Sequence, residues 1–254
     1  MKVQYCSDLH LEFPRNRAFI KKNPLIPVGE ILVMAGDILP FAFLDRYADF
    51  IDYVADHFES VYWVPGNHEY YGYDIGNKSS PLKETIRSNV FLVNNIHVPY
   101  DHIDLYFSTL WSHISPANEW EIGRCLRDFD LIHINQQKFT PRHFSSLHQE
   151  SRSFLEANLP TVEGRQSMII SHHVPTLMHY PKKYRNSPLN EGFAVELYDL
   201  IEGSGADYWL YGHHHFNVPT FKIGSTDMIT NQLGYVEHGE NSGFTVNALV
   251  QMGL

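Results

Sequence analysis

Short apolar runs, each closed by a polar or glycine-containing turn, recur along the chain. Five read as buried strands: Val3-Gln4-Tyr5-Cys6, Ile31-Leu32-Val33-Met34, Val61-Tyr62-Trp63-Val64, Met168-Ile169-Ile170 and Tyr208-Trp209-Leu210-Tyr211. They are too short for helices and rich in β-branched and aromatic residues. The pattern predicts strands over about Lys2–Cys6, Glu30–Met34, Ser60–Val64, Val90–Val93, Ile96–Val98, Leu105–Ser108, Ser167–Ser171 and Asp207–Tyr211. In the tail, Val218–Ile223, Thr226–Asn231 and Phe244–Val250 alternate with turns. Leu44–Phe58 has helical spacing, with Leu44, Tyr47, Ala48, Ile51, Val54, Ala55 and Phe58 on one side. Pro81–Ser88, Glu119–Phe129, Pro141–Leu159 and Phe193–Glu202 also read as helices. A loop, Ser7–Pro14, leads into a basic, proline-containing stretch through Val28 that is assigned no element. Strands alternating with helices indicate the α/β class. No repeat, low-complexity tract or linker interrupts the pattern, so residues 1–254 are expected to form a single domain.

The turns that close the five runs hold the chemistry: Asp8-Leu9-His10, Gly36-Asp37, Gly66-Asn67-His68-Glu69, Ser171-His172-His173 and Gly212-His213-His214-His215. Loops at strand ends are where α/β folds gather polar groups from distant parts of a chain. Asp, Asn and His together offer mixed oxygen and nitrogen ligands, which suit Mn, Fe, Zn, Co or Ni better than Ca or Mg. In an extended segment, Asp8 and His10 would share one face, as would His213 and His215, with His214 turned away. Asp37 is a lone carboxylate at a tight strand end, and its two oxygens can serve two cations.

Composition narrows the function. Charged residues make up 19% of the 254-residue chain, with a formal net charge of −10 at pH 7. An acidic surface without a basic stripe disfavours long polyanions such as DNA or RNA. Bound divalent cations would still admit a small anionic substrate. Cys6 and Cys125 do not make a disulfide framework, so a reducing, cytoplasmic compartment is expected. No run approaches a membrane span, and no signal peptide is expected ahead of the first strand.

The order of these motifs resembles the calcineurin-like metallophosphoesterase family: D-x-H, G-D, G-N-H-E/D, a single His, then G-H-x-H. The resemblance runs from Asp8 to His215 and includes all five blocks. It is similar to a small bacterial-type branch. It implies a four-layer α/β/β/α sandwich of two mixed sheets flanked by helices. It also implies two divalent metal ions, manganese favoured. Asp8, His10 and His215 would hold one; Asn67, His172 and His213 would hold the other; Asp37 would bridge. His68 would protonate or stabilise the leaving oxygen without binding metal, and Glu69 would orient it or its loop. His172 is preferred over His173 as the ligand, leaving His173 near substrate or behind the ligands.

The expected function is metal-dependent hydrolysis of phosphate mono- or diesters through a binuclear centre and bridging hydroxide. The substrate would be small and soluble, a nucleotide included. A nuclease and a non-catalytic metal-binding module are the alternatives. Tyr70, Tyr71 and Arg185, the last beside Lys182 and Lys183, are candidates to line the pocket.

Overall fold

The computed structural model describes residues 1–159, 162 and 164–253. Along the chain run strands β1 (Lys2–Cys6), β2 (Ile31–Ala35), β3 (Ser60–Val64), β4 (Leu82–Arg87), β5 (Val90–Asn94), β6 (Ile96–Tyr100) and β7 (Ile103–Ser108). A two-residue pair, β8 (His133–Ile134) and β9 (Gln137–Lys138), follows. Then come β10 (Gln166–Ser171), β11 (Tyr208–Leu210), β12 (Phe221–Ile223), β13 (Thr226–Ile229) and β14 (Leu249–Gln251). The helices are α1 (Pro14–Lys22), α2 (Ala48–His57), α3 (Glu119–Cys125), α4 (Asp128–Leu131), α5 (Pro141–Asn158) and α6 (Tyr198–Gly203).

Two six-stranded mixed sheets form, in the orders β14-β1-β2-β3-β5-β4 and β12-β13-β11-β10-β7-β6. In each, four parallel strands lie between antiparallel edge strands. The period-2 alternation of side chains explains the layering. On β2, Ile31, Val33 and Ala35 join Leu105, Phe107, Met168 and Ile170 of the other sheet in one apolar cluster between the sheets. Leu32 and Met34 face the opposite way and pack with Ile51 and Val54 of α2. On the far side, Tyr106, Ile169 and Trp209 pack with Leu155 of α5 and Ile201 of α6. The result is an α/β/β/α sandwich, with β1, β2, β3, β10 and β11 delivering their following loops to one edge.

Several elements differ from the sequence reading. Pro81–Ser88 is mostly strand β4, because antiparallel pairing with β5 (Leu82 opposite Asn94) outweighs its local helical spacing. The basic stretch assigned no element contains α1, which Pro14 opens. Only Asn16 and Ile20 of α1 are buried, so it carried almost no apolar stripe. The expected helix Phe193–Glu202 is reduced to α6, since Ala194 bridges Val174 and keeps the first residues extended. Leu44–Phe58 is a 3-10 turn over Phe41–Tyr47 followed by α2, and its expected stripe, Ala48 apart, faces inward.

Candidate metal centre

All seven expected ligands converge at the edge where the strands of both sheets end. The first sheet brings Asp8, His10, Asp37 and Asn67; the second brings His172, His213 and His215. Two groups of donor atoms form. Asp8, His10, Asp37 and His215 make one, and Asp37, His172 and His213 the other, so Asp37 belongs to both; beside them His10 also gathers with Glu12 and His68, outside the expected ligand set. His10 Nε2 lies 2.9 Å from His215 Nε2, and 3.6 Å from Asp37 Oδ2. His172 Nε2 lies 3.2 Å from His213 Nδ1, 3.2 Å from Asn67 Oδ1 and 3.3 Å from Asp37 Oδ1. His173 is not part of either group.

The backbone that makes this convergence is not extended. Asp8, His10, Asp37, His213 and His215 all have positive φ, between 47° and 76°. Non-glycine residues rarely adopt that conformation, which is retained where surrounding structure enforces it, commonly at functional sites. The expectation that D-x-H and H-x-H act as short strands is therefore corrected. Five of the seven ligands thus reach the site from left-handed turns, whereas Asn67 has an ordinary right-handed backbone (φ −72°). Two glycines make the approach close: a Cβ on Gly36 would lie 2.2 Å from His172 Nδ1, and one on Gly66 would lie 2.2 Å from Asp37 Oδ1.

The outer nitrogens of the imidazoles test whether the residues fit a metal. His10 Nδ1 faces Glu12 Oε1 at 3.1 Å, and His172 Nδ1 faces the Ala35 carbonyl at 2.9 Å. His215 Nδ1 faces Glu240 Oε2 at 2.7 Å, and His213 Nε2 faces the Gly192 carbonyl at 3.3 Å. Oxygen acceptors require N–H on those outer nitrogens. The inner nitrogens are therefore the ones left to bind a cation, each able to offer a lone pair once it is free of a proton, the arrangement metal-binding histidines use. Asn67 is turned the same way: its Nδ2 donates to Asp128 Oδ1 at 2.9 Å, leaving Oδ1 inward.

The charges agree. Burial opposes ionisation of Asp37, yet His172 and His68 hold its carboxyl well below the usual range. Burial likewise opposes a proton on His215 and His172. Asp8 and Glu240 nevertheless raise His215 to about 10, and Asp37 raises His172 to about 9. In the bare site, protons on these two imidazoles take the place that cations would fill. Burial and neighbouring imidazoles keep His213 and His10 neutral.

His68 stands beside the clusters, its ring 4.4 Å from that of His10 and 4.1 Å from that of Tyr71. Its Nδ1 donates to Glu12 Oε1 at 2.8 Å, and its Nε2 lies 3.3 Å from the Tyr235 hydroxyl. Burial disfavours its charge, but Asp37 and Glu12 raise its pKa. Glu69 does not touch His68. Its Oε1 accepts from Ile38 N (2.7 Å) and Trp63 Nε1 (3.0 Å), and its Oε2 from Asp37 N (2.9 Å) and Gly66 N (2.6 Å). Burial and the Asp37 charge push its carboxyl up to about 8, against four donors that favour the anion. Glu69 thus ties two ligand loops together; of the two roles expected for it, its bonds serve the loop and not His68.

A cleft of about 530 Å³ opens above the clusters, lined by Asp37, Asn67, His68, His213 and His215. Tyr71 lines it as expected. Tyr70 does not: it is 1% exposed and packs on Phe41 and Trp111. Arg185 is exposed and does not line it, and His173 is buried behind His213 with ring centroids 4.1 Å apart. His214, read as a filler, stacks on Tyr180 and lines the cleft. Sequence reasoning missed Glu12, Asp128, Tyr235 and Glu240, each bonded to a motif residue. Only Glu12 had a signal, two residues beyond His10 on the same loop.

Comparison with known proteins agrees with the geometry. Residues 1–217 match the family described as calcineurin-like phosphoesterase. An uncharacterised protein of Acanthamoeba polyphaga mimivirus is 28% identical over 264 residues, covering 94% of this chain and 93% of that one. The phosphopantetheinyl hydrolase of Mycobacterium tuberculosis superposes with a TM-score of 0.73 at 16% identity, covering 98% of this chain and 95% of that one. It shares the fold.

Proposed function

The chain belongs to the calcineurin-like phosphoesterase family and is a metallophosphoesterase; from that premise we propose that it hydrolyses small soluble phosphate esters at a two-cation centre. The observation that carries this is Asp37, shared by two donor clusters on the floor of one cleft. Asp8, His10 and His215 would hold one cation; Asn67, His172 and His213 the other; Asp37 both. The mixed donors suit Mn, Fe, Zn, Co or Ni, with Mn favoured. When bound, such cations neutralise phosphoryl oxygens and lower the pKa of water.

The chain's own residues do the rest. Glu12 holds the Nδ1–H of His68, so Nε2 is the atom that gives a proton to the leaving oxygen. Proton donation of this kind is worth roughly 100- to 10,000-fold in rate. Asp128 orients the amide of Asn67, and Glu12 and Glu240 orient His10 and His215. Cys6 and Cys125 are free, which suits a cytoplasmic setting. No helix among the described residues is long and apolar enough to cross a membrane.

The test is chelator-stripped protein given each cation in turn, with phosphomonoesters, phosphodiesters, a phosphopantetheinyl ester and DNA. Turnover should return with metal and be faster on small esters than on single-stranded or duplex DNA. Efficient DNA degradation with every small ester ignored would replace this reading with a nuclease.

A further inference from the structure

We infer that the cleft takes a phosphoester whose body, beyond the reacting phosphoryl group, is uncharged and apolar. This rests on the hydrolase reading above and names its substrate class. The segment from 180 to 193 carries the inference. Its basic residues, Lys182, Lys183 and Arg185, invite the idea of a phosphate-binding lid. All three are exposed and none lines the cleft; Lys183 Nζ lies over the ring of Tyr184, itself a lining residue, at 4.5 Å. The same segment presents Tyr180, Tyr184, Leu189 and Phe193 to the cleft, joined there by Leu126 and Leu131.

This apolar wall reaches the metal clusters directly. The Phe193 ring stacks on His213, with centroids 4.9 Å apart and planes 27° apart. Histidines aside, Arg127 is the cation among the described residues lining the cleft, and it is exposed; Glu12, Asp37, Asp128 and Glu240 line it as acids. Away from the histidines, a second phosphoryl or carboxylate group on the substrate would lose its water against leucine and tyrosine, without a buried Lys or Arg to meet it. An apolar arm would instead free the wall of water.

A series of p-nitrophenyl alkyl phosphodiesters, from methyl to hexyl, isolates the arm while the leaving group stays constant. A 5-carboxypentyl ester supplies the charged counterpart. With the full metal-loaded protein, kcat/KM should rise about two- to fourfold per methylene, the upper figure being full burial at about 0.8 kcal/mol per CH₂. The carboxylate-ended ester should fall at least about tenfold below the hexyl ester. Leu189→Ser should flatten the slope. Esters hydrolysed with no dependence on chain length, or a carboxypentyl ester as good as the hexyl one, would overturn the inference. So would a slope unchanged in Leu189→Ser, which would put the arm elsewhere. If no ester is cleaved with any cation, the hydrolase reading itself fails and takes the inference with it.

Discussion

Replacing Glu69 tests how the ligand loops are held. Glu69 is fully buried, and each of its carboxylate oxygens accepts two N–H donors. Three are backbone groups of Asp37, Ile38 and Gly66; the fourth is the Trp63 indole. Glu69→Ala would strand all four. A buried unpaired donor costs about 1–3 kcal/mol, so the sum spans about 4–12 kcal/mol before water or relaxation recovers part of it. We expect the low end, about 4 kcal/mol, which lowers Tm by about 8–16 °C in a domain of this size. Glu69→Gln keeps the shape but turns an amide N–H₂ towards one of the two donor pairs. It should lose about half as much, near 2 kcal/mol and about 4–8 °C. Differential scanning calorimetry of the three chelator-stripped proteins reads this without metal or substrate. Alanine and glutamine variants both melting within about 2 °C of the parent would refute the reasoning, since no such clamp could then exist.

Other outcomes follow from the same geometry. Asp37→Ala should lose both cations and Asp8→Ala chiefly one, counted by elemental analysis; two full equivalents in Asp37→Ala would remove its shared role. His68→Ala should keep its metal yet lose roughly 100- to 10,000-fold in turnover of alkyl esters, and less for nitrophenyl esters, whose leaving oxygen needs no proton. His172→Ala should lose one cation while His173→Ala keeps both, and the reverse pattern would exchange their assignments. With His215 near 10 and His172 near 9, both carry protons at pH 7 that a cation must expel. Metal affinity should therefore weaken as pH falls from 9 towards 6, and calorimetry in buffers of different ionisation enthalpy should detect proton release. Binding heats independent of buffer would contradict that charge state.

The ligands were legible because each follows a short buried run and belongs to a residue type with few other reasons to end a strand. His172 sits between β10 and a turn, and Asp37 between β2 and a turn, as their neighbours foretold. The reason they meet was not legible: periodicity suggests extended segments, whereas the left-handed turns at Asp8 and His215 are set by packing from both sheets. The supporting acids were hidden for a related cause. Asp128 and Glu240 follow no strand and reach Asn67 and His215 only through tertiary contact, 61 and 25 residues away in sequence. Tyr70 illustrates the opposite error. It adjoins a motif but faces the core, because a 3-10 turn over His68–Tyr70 points successive side chains in different directions. Strand β4 was misread because its partner β5 decides its conformation.

The division of ligands between the two sheets has a consequence for the order of events in the cell. A chain growing from the ribosome exposes Asp8, Asp37 and Asn67 early, but His213 and His215 follow β11, and the first sheet is completed by β14 pairing with β1. Neither donor cluster is whole until the stretch after Tyr208 has emerged and docked. A product truncated before that stretch would lack His213 and His215, one donor from each cluster, so complete cation sites are expected only in the finished chain.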